Sequence, residues 1–181
     1  MRVVIIHGYQ GEPMRGFRPW LKHELEERGF EVSVPAMPSP DEPKVGEWAA
    51  AIANEAGKGS GSCILVGHSL GCMAILRYLE RAKEKAAGAV LVAGFASSLG
   101  EGFSALEGFV EPPLDFARVR GMCPKFTAIF SDNDPYIPLS QAKIFEERLG
   151  AKTMVLHARG HFSSSEGTTE LPEALEAILG I

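Results

Sequence analysis

The chain has 181 residues, of which 45% are hydrophobic and 23% charged, and its formal net charge is -5. We expect one domain over residues 1–181, because this size and composition suit a single sizeable core. Acidic and basic residues are interspersed without a basic stripe, so we expect no nucleic-acid partner. The apolar runs, such as residues 3–6 and 86–93, are too short to span a bilayer, so we expect no membrane partner.

The N-terminus and the cysteines indicate a cytoplasmic location. The first two residues lead directly into an apolar run, a pattern that lacks a signal peptide. Cys63, Cys72 and Cys123 are an odd number without metal-ligand spacing, which is typical of small buried residues. The lack of metal-ligand spacing leads us to expect no metal. We also expect no cofactor, and as assembly state a monomer or a homodimer.

The first part of the chain alternates short apolar runs with helical patterns. These predict a strand at 3–6, a helix at 17–28, a strand at 30–34, a proline-rich loop at 35–43, a helix at 44–56, a flexible connection at 57–61 and a strand at 64–66. Gly29 is expected to end the first helix, and Asp41, ahead of Pro43, is a candidate cap for the second.

The same alternation continues to the end of the chain. The patterns predict a helix from 70 to about 85, a strand at 89–93, an irregular segment at 94–122 with a short helix at 115–120, a strand at 126–130, a helix at 139–149, a strand at 153–156 and a helix at 173–179. Six strands alternating with helices predict a parallel sheet covered on both faces. A site is then expected at the carboxyl ends of the strands.

The stretch Gly67-His-Ser-Leu-Gly71 joins an apolar strand to a helix, with Ser69 at the turn. This arrangement is a nucleophile elbow, in which the serine oxygen stands clear of the sheet in front of a helix N-terminus. Side chains at Gly67 and Gly71 would collide with the neighbouring strand and helix. The alternative is an ordinary glycine-rich turn in which Ser69 caps the helix.

A serine hydroxyl needs a base, and the base needs a group that orients it. His161 follows the last strand behind Gly160 and fits the order serine, acid, histidine that is expected after such an elbow. The other histidines are less well placed: His23 in a helix at the surface, His68 pointing away from Ser69, His7 in the first loop, and His157 at the end of the last strand, partly buried.

The acid is expected at the end of a strand between Ser69 and His161, where both Asp132 and Asp134 lie. We favour Asp134, because Pro135 restricts it to extended backbone and stiffens the turn. Asp132 remains the alternative acid, and is otherwise a turn or capping residue.

The loop that follows the first strand is expected to complete an oxyanion hole. The donors would be the N–H of Leu70 and one N–H of this loop, that of Tyr9 or alternatively Gln10. Arg15 and Arg18 lie nearby and could meet a substrate carboxylate, although a solvated helix start is the favoured interpretation.

Residues 95–122 are the candidate lid-like segment, too short for a full cap domain, so we expect a shallow or partly open site. Aromatic side chains that are candidates for substrate contact, against the alternative of core packing, are Trp20, Phe103, Phe109 and Tyr136.

Three motifs together resemble the α/β-hydrolase superfamily: Gly67-His-Ser-Leu-Gly71, Asp134-Pro-Tyr-Ile-Pro138 and Gly160-His161-Phe162. The short chain, His7-Gly8-Tyr9 and the Trp20-Leu21 pair are similar to the small serine hydrolases typified by retinoblastoma-binding protein nine. The resemblance implies a three-layer α/β/α sandwich, the minimal α/β-hydrolase fold, with a six-stranded parallel sheet in the order 2-1-3-4-5-6. It carries the nucleophile to Ser69, the acid to Asp134 and the base to His161. One departure is at 112–116, where family members often have a tryptophan-rich patch.

These observations favour a serine hydrolase, a carboxylesterase acting on small acyl esters through an acyl-serine intermediate. An amidase or a thioesterase would use the same triad. A catalytically weak protein-interaction module is the alternative from another class. A metal hydrolase using His157, His161 and the two aspartates would leave the elbow serine unexplained.

Overall fold

The computed structural model describes residues 1–57 and 62–181, so most of the connection predicted at 57–61 lies outside the described residues. Its centre is a six-stranded parallel sheet with the strand order β2-β1-β3-β4-β5-β6. The strands are β1 (Arg2–Ile6), β2 (Glu31–Ser33), β3 (Cys63–His68), β4 (Gly88–Val92), β5 (Phe126–Ser131) and β6 (Lys152–Leu156). This confirms the predicted fold class and strand order.

Helices cover both faces of the sheet. They are α1 (Arg18–Glu26), α2 (Val45–Ala56), α3 (Leu70–Arg81), α4 (Glu107–Val110), α5 (Phe116–Met122), α6 (Ser140–Ile144, continued by a π-helical turn at Phe145–Leu149) and α7 (Pro172–Leu179), with 3-10 turns at Glu101–Leu106 and Ser164–Glu166. On one face α1 packs beside α7, and on the other α2, α3 and α5 pack side by side. No helix among the described residues is long and apolar enough to cross a membrane.

The middle strands are buried on both sides, because helices lie over each face. Every residue of β3 and β4 is buried, as the continuous apolar runs predict. The edge strands β2 and β6 are partly exposed. The three cysteines are free and buried, as expected.

One predicted helix end and one predicted helix cap were wrong. The helix after Ser69 ends at Arg81 rather than near residue 85, because Ala82 turns to an extended conformation and its carbonyl accepts a hydrogen bond from Arg118 at 2.7 Å. The second helix begins at Val45 with Lys44 at its N-cap, so Asp41 lies in the preceding loop and does not cap it.

Two side chains of α3 form hydrogen bonds to the C-terminal part of the segment that follows β4. The buried Arg77 donates from Nε to the carbonyl of Phe109 at 2.7 Å and also donates to the carbonyl of Pro112. The carboxylate of Glu80 accepts from Arg77 at 2.9 Å and from the N–H of Asp115 at 2.8 Å.

The same segment is fastened at its N-terminal end by Gln141, the buried second residue of α6. The N–H of Ala96 donates to Oε1 of Gln141 at 3.0 Å, and Nε2 of Gln141 donates to Oγ of Ser97 at 2.8 Å. Between these two anchors, residues 99 and 102–106 line a cavity together with Ser69, which lies where β3 meets α3.

Candidate active site

Ser69 lies between β3 and α3 in a backbone conformation that side chains rarely adopt, with φ 54° and ψ -120°. Close backbone approach accounts for the flanking glycines. A Cβ at Gly71 would lie 2.6 Å from the carbonyl oxygen of Ile6, and one at Gly67 would lie 2.7 Å from the nitrogen of Cys72. Ser69 occupies the N-cap position of α3, yet its side chain makes no capping hydrogen bond. Its oxygen is therefore not used to stabilise the helix.

Ser69 opens into a cavity of about 410 Å³ at the carboxyl edge of the sheet. Of the predicted site residues, the cavity is lined by Tyr9, Gln10, Ser69, Phe103, Tyr136 and His161. Among the described residues, no hydrogen bond involves the Oγ of Ser69. Such contacts commonly tighten only when substrate is bound.

Asp134 and His161 are joined directly. Nδ1 of His161 donates to Oδ2 of Asp134 at 2.8 Å, and the two side chains are only 12% and 2% exposed. Oδ1 of Asp134 accepts from the N–H groups of Tyr136 and Ile137 at 2.9 and 3.1 Å. These two donors fix the orientation of the carboxylate. Because the carboxylate occupies Nδ1 of His161, Nε2 is the ring nitrogen left for other contacts.

Asp132 has a different partner. Its Oδ2 lies 2.6 Å from Nδ1 of His157, and its Oδ1 accepts from the N–H of Ala158 at 2.8 Å. These two contacts hold the pKa of Asp132 below its usual value. The prediction that His157 is partly buried was wrong, since its side chain is 90% exposed at the end of an edge strand.

The two histidine–aspartate pairs do not form one cluster. Within residues 1–57 and 62–181, no group of three or more His, Cys, Asp or Glu side chains is placed to hold a metal ion. The arrangement that the metal-hydrolase interpretation needs is therefore missing from the described part of the chain.

The loop that carries His161 is tied to the end of β5 by two side chains that the sequence reasoning overlooked. Oδ1 of Asn133 accepts from the N–H of Gly160 at 2.8 Å, and Oγ of Ser131 accepts from the N–H of Arg159 at 2.9 Å. Ser131 also donates to Asn133 at 2.8 Å. A polar side chain at a strand end was the available signal, but its partners lie almost thirty residues further along the chain.

The backbone of His161 makes two further contacts. Its carbonyl lies 2.8 Å from Nε2 of His68, and its N–H donates to the carboxylate of Glu166 at 2.9 Å. The imidazole lies between the ring of His68 and that of Tyr136, each with its centroid 5.0 Å away. The side chain of His68 runs beneath His161, and burial lowers the pKa of His68 to about 3.

The first loop, which carries Tyr9 and Gln10, adjoins the elbow. A Cβ at Gly8 would lie 3.0 Å from Cβ of Ser69, so this loop packs directly against the serine. The N–H of Gln10 is already used, since it donates to the carbonyl of Pro40 at 2.9 Å. Among the described residues, no hydrogen bond uses the N–H of Tyr9 or of Leu70, the first residue of α3.

Two buried side chains shape this loop. His7 donates from Nδ1 to the carbonyl of Gly8 at 2.8 Å and accepts from the N–H of Met37 at 3.0 Å, and burial lowers its pKa. Arg18 donates to the carbonyls of Glu12 and Pro13 at 2.8 and 3.1 Å. The interpretation of Arg18 as a solvated residue was wrong, because it is 6% exposed and satisfies loop carbonyls.

Two of the aromatic candidates lie outside the cavity. Phe109 is 1% exposed, and its ring packs edge-on against Trp48 with centroids 5.8 Å apart. Trp20 is on α1 and packs partly buried against the core. The structure therefore places Phe103 and Tyr136 on the cavity that contains Ser69. Trp20 and Phe109 are not on that cavity, because they pack against the hydrophobic core.

The chain is similar to known proteins over almost its whole length. A family model described as serine hydrolase matches residues 3–179. The protein YdeN of Bacillus subtilis (strain 168) is 32% identical over 173 residues, which cover 94% of this chain and 90% of YdeN. The serine hydrolase RBBP9 of Rattus norvegicus is 28% identical over 168 residues, covering 91% and 89%. The crystal structure of the B. subtilis ydeN product superposes with a TM-score of 0.93 over 99% of this chain and 97% of that one, at 31% identity.

Proposed function

The chain belongs to the serine hydrolase family, and we propose that it is a carboxylesterase acting on small acyl esters through an acyl-serine intermediate. One observation carries the proposal. Ser69, held at a strained turn without a hydrogen-bond partner among the described residues, lies on the same cavity as His161, whose Nδ1 is bound by Asp134. Nucleophile, base and orienting acid are the parts that acyl transfer requires.

In the proposed reaction, Oγ of Ser69 attacks the ester carbonyl carbon while Nε2 of His161 takes the hydroxyl proton. The tetrahedral intermediate collapses as the bond to the alcohol oxygen breaks, and His161 gives the proton to that oxygen. An alcohol leaves, and the acyl group remains on Ser69. Water then attacks the acyl carbon, His161 takes a proton from it and returns one to Ser69, and the carboxylic acid leaves. Asp134 stabilises the imidazolium formed in each half.

The N–H groups of Tyr9 and Leu70 are the proposed donors to the oxyanion. The occupied N–H of Gln10 argues for Tyr9 as the donor from the first loop. Leu70 is the first residue of α3, so its N–H points outward at the positive end of the helix. Removing one such donor typically slows acyl transfer by about 10²- to 10³-fold.

The cavity supports a small, uncharged acyl group. Its walls are apolar at Phe95, Leu99, Leu106 and Ile137, and none of the described residues that line it is Lys, Arg, Asp or Glu. Its volume of about 410 Å³ lies near the lower end of the range for small-molecule sites. We further propose that the chain is one domain and that residues 95–122 cover this site as a lid-like segment. The cytoplasmic location and the assembly state stay predictions.

Labelling with a fluorophosphonate, read by intact mass and peptide mapping, tests the proposal. We expect one adduct on Ser69 in the wild type, little adduct in His161→Ala, and none in Ser69→Ala. Activity against p-nitrophenyl butyrate should fall by at least about 10⁴-fold in Ser69→Ala. Circular dichroism of each variant checks that the fold is intact.

The same experiment separates the competing functions. An adduct without ester turnover would favour an amidase or a thioesterase, and matched butyryl thioester and anilide substrates then decide between those two. A folded wild type that is not labelled would overturn the proposed hydrolase and favour the interaction module.

A further inference from the structure

The carbonyl of His161 is hydrogen-bonded to a side chain that takes no part in the proposed chemistry. Nε2 of His68 lies 2.8 Å from that oxygen, and a carbonyl can only accept, so Nε2 carries the proton and donates it. The ring of Phe17 packs edge-on against His68 with centroids 5.7 Å apart. His68 precedes Ser69 in the chain, so the last residue of β3 connects the turn that holds the nucleophile to the loop that holds the base.

The N–H of His161 is held from the other side. Both carboxylate oxygens of Glu166 accept from it, at 3.0 and 2.9 Å, while Oε2 also accepts from the N–H and the hydroxyl of Ser163. Gly160 makes room for this contact, since a Cβ there would lie 2.1 Å from Oε1 of Glu166. Hydrogen bonds therefore hold both backbone polar groups of His161, its carbonyl and its N–H.

His68 is suited to this task because it stays neutral. Its side chain is buried against Phe17 and the ring of His161, and the guanidinium of Arg18 and the ring of His7 are also near it. A second positive charge beside an imidazolium would oppose the proton transfer, whereas a neutral ring supplies a donor at no electrostatic cost.

We propose that His68 is a positioning residue that fixes the imidazole of His161 against Ser69 by holding its backbone carbonyl, with Glu166 holding the N–H of the same residue. The inference rests on the proposed role of His161 as general base. A base displaced by about 1 Å can lose roughly 10²-fold in rate, so a contact that fixes its backbone affects turnover more than binding.

Substitutions at position 68 test the donor itself. The amide nitrogen of glutamine can replace Nε2, whereas that of the shorter asparagine falls near Nδ1 and cannot reach. We expect His68→Asn to lower kcat for p-nitrophenyl butyrate by roughly 10- to 100-fold with KM changed less than about threefold. His68→Gln should retain kcat within about threefold. His23→Asn, an exposed histidine on α1, is the matched control and should equal the wild type.

Glu166 is tested in the same assay against its own control. Glu166→Ala should lower kcat by about tenfold, because it frees the N–H of His161. Ser163→Ala removes the hydroxyl that donates to the same carboxylate but keeps the N–H of residue 163, and it should leave kcat within about twofold. Equal losses of kcat in Glu166→Ala and Ser163→Ala would mean that turnover depends on the 3-10 turn as a whole. The proposed role of the contact between Glu166 and His161 would then be wrong.

A proton spectrum distinguishes failure of this inference from failure of the proposed function. The Nδ1 proton of His161 that bonds Asp134 should give a downfield imidazole resonance in the wild type and in His68→Gln, shifted or broadened in His68→Asn. A wild type that shows this resonance but hydrolyses no ester overturns the proposed function, and the spectra alone then decide on His68. Wild-type kcat and an unchanged resonance in folded His68→Asn would overturn the positioning role.

Discussion

Oδ2 of Asp134 lies 2.8 Å from Nδ1 of His161, while Oδ1 of the same carboxylate is occupied by two backbone N–H groups. Asp134→Asn should therefore place its amide oxygen toward the backbone donors and its NH₂ group toward Nδ1. His161 would be forced into the tautomer that carries its proton on Nε2. We expect kcat/KM for p-nitrophenyl acetate to fall by about 10³- to 10⁴-fold, with the unfolding midpoint little changed.

Asp132→Asn is the matched substitution two residues away. Asp132 bonds the exposed His157, so its loss should change kcat/KM by less than about threefold. A larger loss in Asp132→Asn than in Asp134→Asn would make Asp132 the acid and contradict the favoured assignment.

Gly71→Ala should unfold or strongly destabilise the chain. Its Cβ would lie 2.6 Å from the carbonyl oxygen of Ile6 and 2.7 Å from that of His7, and neither backbone group can move without opening the pairing of β1 with β3. We expect a loss of about 3 kcal/mol or more in the free energy of unfolding, measured by urea titration. Gly121→Ala on α5 meets nothing within 4 Å and should gain roughly 0.5 to 1 kcal/mol. A mild effect at Gly71 would contradict the close approach.

Phe103→Ala and Phe109→Ala should separate selectivity from stability. Phe103 lines the cavity and is half-buried, so its truncation should raise kcat/KM for p-nitrophenyl octanoate relative to the butyrate by about five- to tenfold. Phe109 is buried against Trp48, so its truncation should cost about 3 to 5 kcal/mol of stability and leave the ester ratio unchanged. Chain-length profiles and urea titrations of both variants check this, and an altered ester ratio in Phe109→Ala would count against it.

The uncharged cavity predicts discrimination by charge. The mono-p-nitrophenyl ester of succinic acid should be hydrolysed at least about tenfold less efficiently than p-nitrophenyl butyrate, because its carboxylate would lose water without gaining a cation. Leu99→Lys adds a cation to the cavity lining. The difference in kcat/KM between the succinyl ester and the butyrate should therefore become smaller in this variant. Equal kcat/KM values for the two esters in the wild type would show that the acyl group lies outside the cavity.

His68 makes stability depend on pH in a defined direction. Its pKa is about 3 in the folded chain against an ordinary 6.5, so the unfolded chain takes up a proton first as the pH falls. The free energy of unfolding should therefore be unaffected by this group above pH 6.5 and fall below it by about 1.4 kcal/mol per pH unit. Urea titrations at pH 7, 6 and 5 should show a weaker dependence in His68→Gln, since the other groups cancel in the comparison. If the free energy of unfolding depends on pH equally in the two proteins, the pKa of His68 is not lowered by folding, which would contradict this prediction.

The sheet and the elbow could be predicted because local pattern determines them. Continuous apolar runs such as β3 and β4 indicate buried parallel strands, and the glycines flanking Ser69 mark a close approach that only the absence of a side chain allows. The strand order came from family resemblance, since alternation alone predicts a parallel sheet without ordering it.

The residues that sequence reasoning missed act across long separations. Ser131 and Asn133 accept from the N–H groups of Arg159 and Gly160, 28 and 27 residues further on. His7 likewise accepts from the N–H of Met37, thirty residues further on. Phe103 and Phe109 are the same residue type in one irregular segment, so only the path of the backbone decides which of them faces Ser69. The run after Arg81 favours a helix locally, but contacts with α5 end it.

The two anchors of the segment after β4 bear on how substrate would enter. Gln141 holds residues 96 and 97, and the Arg77–Glu80 pair holds residues 109, 112 and 115. Opening of the cavity is then confined to the stretch between them, which includes Phe103. Such a loop rearranges in nanoseconds to microseconds without domain movement. If the proposed function is right, we expect entry of substrate to be fast compared with typical turnover, so that the acyl-transfer steps, rather than gating, set the rate.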